Sequence, residues 1–217
     1  MKAQIISLRN YLGSPEFAAR RQALRLCIER GNRLLDRLHC ADFLPLLLIR
    51  LYLVPVFWMG AINKFASFQA TADWFGGSLG LPLPYVMVFL AASAELFGAI
   101  LLLVGFAVRW ISVPLMVTMA VAAITVHWQN GWLAIASASG LFASERTIAA
   151  TQRLAEAKDI LARFGNYEAL TQYGKFVVLN NGIEFAATYF LLLLVLLMGG
   201  GGRWVSLDYW LSRRRQS

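Results

Sequence analysis

The chain has 217 residues, 59% of them hydrophobic, with a mean hydropathy of +0.58 and a formal net charge of +8. It is too apolar for an ordinary soluble domain and too short for two domains with separate cores. Its cations crowd into about the first 40 and last 15 positions, which suits an anionic lipid surface better than a nucleic-acid groove, so no nucleic-acid partner is expected.

Residues 1–42 form a basic arm. Ser14-Pro15-Glu16 reads as a helix start: an N-cap, a proline in the first turn, then an acid favoured by the helix dipole. Phe17, Leu24, Ile28 and Leu35 recur near the helical period, with Arg20, Arg21, Arg25, Arg30 and Arg33 between them. This pattern predicts an amphipathic helix lying on a membrane surface. Cys27 and Cys40 form no CxxC pair and are expected as free thiols in a reducing cytoplasm. No early apolar stretch of the signal-peptide type follows Met1.

Four apolar spans follow, within a membrane domain of residues 43–208. The first, 43–63, carries Arg50 and Pro55 and closes at Lys64; Pro55 removes a helical hydrogen bond and predicts a kink. Phe68, Ala72 and Phe75 mark a short surface helix before a Gly-Leu-Pro-Leu-Pro turn. The second span, 85–108, holds Glu95 and ends near Gly105 and Arg109; the third, 110–128, holds Pro114 and ends at His127. Residues 140–175 are a polar insertion, predicted helical from an N-cap at Ser144 to Phe164. The fourth span, 177–198, contains Glu184 and stops at Gly199–Gly202, before a basic tail over 209–217. The predicted fold is all-α and integral to the membrane. It is a four-transmembrane-helix bundle with an N-terminal amphipathic helix and a helical extracytoplasmic insertion.

Orientation follows from charge. Placing both termini in the cytoplasm puts the arm, Arg109, Arg203 and Arg213–Arg215 inside, and Lys64 with the near-neutral 129–177 loop outside. Trp110, Trp204 and Trp210 then mark one interface, and Trp74, Trp128 and Trp132 the other. The expected location is a bacterial inner membrane, with the lipid bilayer as the first partner.

Ionisable groups inside the spans are costly and usually face the bundle interior. At 1.5 Å per residue, Arg50 lies about 10 Å deep and Glu95 about 20 Å from the same face, so an upward-reaching Arg50 is expected to pair with Glu95 as a structural ion pair. Lys64, His127 and Glu184 come from three helices to the opposite end and are the candidate catalytic set, able to hold or move a proton. With one intramembrane histidine, bis-histidine haem ligation is excluded. The four glycines lack a following Lys-Ser or Lys-Thr and form no phosphate loop. No Cys/His cluster has metal-site spacing, so no metal site is assigned. Met116 and Met119, three residues apart, suit copper(I) chemically but read first as gap-filling core residues.

The ordered set Arg50, Gly60 with Lys64, Gly80-Leu81-Pro82, Glu95 with Gly98, Gly105 to Arg109, His127, Glu184 and the closing Gly-Gly-Gly-Arg-Trp-Val-Ser-Leu-Asp208 resembles the DoxX family of four-helix membrane proteins. VHWQNGW at 126–132 and NNGIEFAATYF at 180–190 are similar to its HvfX-like branch. That resemblance implies an accessory membrane role linked to maturation of copper-binding modified peptides or to copper and oxidative-stress protection. Peptide-maturation or redox proteins are the implied partners, and quinone or copper the candidate cofactors. A quinone-interacting oxidoreductase subunit and a small transporter or channel are the alternative readings.

Overall fold

The computed structural model describes residues 22, 24–32, 36 and 41–214, and separates into two units, Met1–Leu44 and Pro45–Ser217. In the first unit, residues 24–32 are helical and exposed, with Leu24, Leu26 and Ile28 uncovered and Cys27 an exposed free thiol. Most of the expected amphipathic helix, its Ser14–Glu16 start, Cys40 and residues 215–217 lie outside the described residues.

The apolar runs become α1 (Phe43–Ala66), α3 (Pro84–Val104), α4 (Val108–Ala122) and α7 (Glu184–Gly199). Between and after them come α2 (Phe68–Gly77), α5 (Glu145–Phe164), α6 (Tyr167–Thr171) and α8 (Leu207–Arg214). Helix α4 extends through a π-helical turn, Ala123–His127, and a 3-10 turn, Trp128–Asn130. Among the described residues three runs are therefore long and apolar enough to cross a membrane: Phe43–Ala66, Pro84–Val104 and Val108–Asn130. Helix α1 remains helical through Pro55.

Helix α7 is shorter than its sequence suggested. Its 16 residues rise about 24 Å, against about 30 Å for a hydrocarbon core. The expected start at Val177 is displaced to Glu184, because Leu179 forms an isolated antiparallel bridge with Ile135 and Asn181 adopts a left-handed backbone. Val177, Val178 and Leu179 satisfy a helix and an extended segment equally well by composition. The Asn-Asn-Gly that follows decides between them.

All four apolar helices share one core. Leu53 and Phe57 of α1, Ala99 and Leu102 of α3, Val108 and Leu115 of α4, and Leu193 and Leu196 of α7 are buried together. Met116 and Met119 pack against this cluster, the gap-filling role that unbranched thioethers serve well. Gly98 lets α3 and α4 approach closely, since a Cβ there would meet Leu115 at 2.8 Å. Elsewhere the spans present apolar side chains outward, among them Phe89, Phe97, Val117 and Leu191, as lipid-facing surfaces do.

In the polar insertion, Ser144 caps α5 as expected. Its hydroxyl accepts from the Thr147 amide at 3.3 Å, and the Thr147 hydroxyl accepts from the Ser144 amide at 2.9 Å. Two orphan amides of the first turn are thereby satisfied within the helix itself.

Candidate functional site

Three polar assemblies are distributed along the bundle. At one end is Arg50, only 1% exposed. Its Nε donates to the Leu102 carbonyl at 2.7 Å and its Nη2 to Leu103 at 3.0 Å. Its Nη1 donates to Gly201 at 2.6 Å and to Val205 at 3.2 Å. Leu102 and Leu103 belong to the last turn of α3, whose carbonyls have no partner within the helix. The guanidinium thus caps the negative end of α3 and ties it to the glycine-rich loop before α8. Gly105 makes room for it: its φ of +69° closes α3, and a Cβ there would lie 2.5 Å from Nη2. Arg109 repeats the device on α7, donating to the Met198 carbonyl at 3.1 Å.

Asp208 completes this end. Its carboxylate accepts from the Ala107 and Val108 amides at 2.7 and 3.0 Å, acting as an N-cap for α4 from about a hundred residues away. Ser206, itself buried, accepts from the Tyr209 amide at 3.3 Å and starts α8. The closing Gly-Gly-Gly-Gly-Arg-Trp-Val-Ser-Leu-Asp stretch is a structural knot built on loop carbonyls.

The expected Arg50–Glu95 ion pair does not form. Arg50 spends its donors on backbone carbonyls, and Glu95 pairs with Lys64, Nζ to Oε2 at 2.7 Å. Depth explains the difference. Glu95 lies beside Gly60, where a Cβ would stand 2.9 Å from Oε2, and Lys64 is one helical turn further along α1. The lysine side chain reaches back along its own helix, and Nζ also approaches the Gly60 carbonyl at 3.4 Å. The carboxylate is almost wholly covered at 6% exposure while the lysine is 25% exposed, so the pair is closed at Glu95 and open at Lys64. Among the described residues it is the ion pair that joins two apolar helices; Arg163–Asp159 lies within α5.

The third assembly is a clasp at the Lys64 end, between residues 130–134 and 180–184. Backbone bonds join Gly182 to Leu133, Ile183 to Gly131 and Glu184 to Trp132 at 3.0–3.1 Å. A Cβ on Gly182 would strike the carbonyls of 131–133 at 2.5–2.7 Å, so only glycine permits this approach. Buried Asn180 donates from Nδ2 to Asn130 and Leu133 at 2.8 and 2.6 Å. Glu184 accepts from the Ala134 amide at 2.9 Å, and His127 Nδ1 meets the Asn181 carbonyl at 2.8 Å. A carbonyl only accepts, so Nδ1 carries the proton and Nε2 is the basic nitrogen.

The candidate set of Lys64, His127 and Glu184 is therefore divided. His127 and Glu184 fasten the same clasp through different residues, and Lys64 belongs to Glu95. Among the described residues no hydrogen bond or ion pair joins these three side chains to one another. The VHWQNGW and NNGIEF stretches interlock, so most of their polar residues have a folding role. Among the described residues no group of three or more His, Cys, Asp or Glu is placed to hold a metal.

Comparison with known proteins agrees with the helical core. A Bacillus subtilis (strain 168) protein named "Putative oxidoreductase CatD" is 35% identical over 80 residues, covering 37% of this chain. The chain spans 58% of that relative's length. No solved structure matches the chain. The family model described as DoxX matches residues 45–128, the stretch that supplies Arg50, Lys64, Glu95 and His127. Between Pro45 and Trp128, this membrane protein is similar to the DoxX family.

Proposed function

We propose that the protein is an inner-membrane, redox-linked accessory subunit whose working centre is the Lys64–Glu95 pair, taking the carbonyl head of a lipid-soluble quinone. The observation that carries this reading is a buried carboxylate held by a half-open lysine across two apolar helices. Ionisable groups inside a membrane mark substrate or proton paths by default. The Lys64 ammonium has donors to spare for a quinone carbonyl, where negative charge builds as electrons arrive. Glu95 can pass on a proton once Lys64 turns to the ligand. A partner redox protein supplies the two electrons, and two protons entering at the Lys64 end complete the quinol. The relative named as an oxidoreductase supports a redox role, and the HvfX-like stretches make maturation of copper-binding peptides its narrower setting.

Binding tests this directly. In nanodiscs, a short-chain benzoquinone analogue should quench tryptophan fluorescence of the natural protein. The Lys64→Met/Glu95→Gln double variant, which removes both charges together, should bind it at least tenfold more weakly. Affinity within twofold of the natural protein would rule the pair out as the quinone site.

The same proposal has all four apolar helices crossing the bilayer, with both termini cytoplasmic. Trp110, Trp204 and Trp210 are exposed at the Arg50 end, and Trp128 and Trp132 at the Lys64 end, as two interfacial belts require. In intact cells a membrane-impermeant maleimide should label Ser139→Cys and Gln152→Cys but not Cys27. Labelling of Cys27 alone would invert the orientation.

A further inference from the structure

A cleft of about 460 Å³ opens between α5 and the extended segment that precedes α7, lined by Arg146, Ala149, Ala150, Arg153, Leu179 and Asn180. It belongs to none of the three assemblies above except through Asn180. Its size falls within the range of about 300–1,000 Å³ typical of small-ligand sites.

Its chemistry is one-signed. Arg146 and Arg153 are seven residues apart on α5, close to two full turns, so they share a face about 10 Å apart along the axis. Arg146 is oriented from within: its Nε donates to the Asn180 Oδ1 at 3.2 Å, and Asn180 is itself anchored by two backbone carbonyls. Its terminal nitrogens, and the whole Arg153 guanidinium, take no hydrogen bond or ion pair from the described residues. Two arginine forks on an alanine floor leave room for a bulky anion, which planar guanidinium groups match through paired hydrogen bonds.

The other wall is apolar. Val178 and Leu179 face Ala149 and Ala150 across the cleft. Leu179 is 69% exposed, so an apolar group seated against it would be taken out of water with it. Asn180, which lines the cleft, is four residues ahead of the start of α7. Trp132 and Phe142, with ring centres 5.3 Å apart, lie at the same end.

From these features we infer that the Arg146–Arg153 cleft is a binding site for a phosphate-bearing ligand, with the apolar wall taking the carbon skeleton attached to the phosphate. The phosphate belongs to an anionic phospholipid headgroup or to a soluble phosphorylated molecule; the recognising chemistry is the same.

Thermal unfolding in nanodiscs, followed by tryptophan fluorescence, separates the outcomes. The natural protein should melt several degrees higher in phosphatidylcholine discs containing phosphatidylglycerol than in phosphatidylcholine alone. Arg146→Gln/Arg153→Gln should lose most of that shift. Lys158→Gln/Arg163→Gln removes the same charge from the same helix outside the cleft, and should keep it. Inorganic pyrophosphate added to phosphatidylcholine discs forms the second arm. An arginine-dependent shift with pyrophosphate identifies a soluble ligand, and one confined to phosphatidylglycerol identifies the headgroup. No shift in either arm, or equal loss in the two double variants, overturns the site.

Discussion

Glu95→Gln and Lys64→Met, made singly, should each destabilise the bundle strongly, whereas the double variant should recover much of the loss. Glu95 sits at 6% exposure with Lys64 as its ion-pair partner at 2.7 Å. Removing the lysine leaves a carboxylate in a low-dielectric interior, and breaking such pairs by one partner typically costs about 3–5 kcal/mol. Removing the carboxylate is milder. Lys64 is 25% exposed and can swing towards the polar boundary, as long cationic side chains do at helix ends. The single variants should therefore be unequal, with Lys64→Met the worse. Replacing both removes the desolvation penalty together with the attraction, and such exchanges are often neutral. Reversible denaturant unfolding in mixed micelles would supply the double-mutant cycle. Additive single effects would show that the two groups are not energetically coupled. Arg50→Met serves as the unrelated partner, and its combination with Glu95→Gln should be close to additive.

Loss of the Arg50 side chain should be at least as damaging, for a different reason. Arg50→Met keeps the length and apolar stem but abandons four carbonyls, those of Leu102, Leu103, Gly201 and Val205. A buried polar group left without a partner costs about 1–3 kcal/mol, and with partial relaxation the total is expected near 3–5 kcal/mol. Arg50→Lys should rescue less than half, because one ammonium cannot span carbonyls from two separate segments as the planar fork does. Gly105→Ala should resemble Arg50→Met in direction, since its Cβ would collide with the guanidinium and its φ is strained for alanine. Thermal melting in the same micelles checks all three. A loss below about 1 kcal/mol for Arg50→Met would show that the carbonyls find water and that the knot is not what holds this end.

Much of this architecture is written in local sequence. Apolar runs of sufficient length announced α1, α3 and α4 because the bilayer is a uniform solvent and helix length is the main requirement it imposes. Gly105 and the Gly199–Gly202 stop, the Ser144 cap and the apolar packing of Met116 and Met119 follow from intrinsic residue properties. The partners of the buried charges were decided elsewhere. Depth along a span can be counted from sequence, but the azimuth of each helix and the bend of a long side chain cannot. Counting depth suggested Arg50 reaching up to Glu95, whereas Lys64 reaches back to it and Arg50 closes on the end of α3. The start of α7 was hidden in the same way. Val177 to Leu179 are apolar enough for either state, and only the distant bridge partner Ile135, together with the tight seat of Gly182 against residues 131–133, selects the extended one. Residues distant in sequence supplied each of these choices, because a buried donor or acceptor is satisfied by whatever the fold brings within about 3 Å, not by its neighbours in sequence.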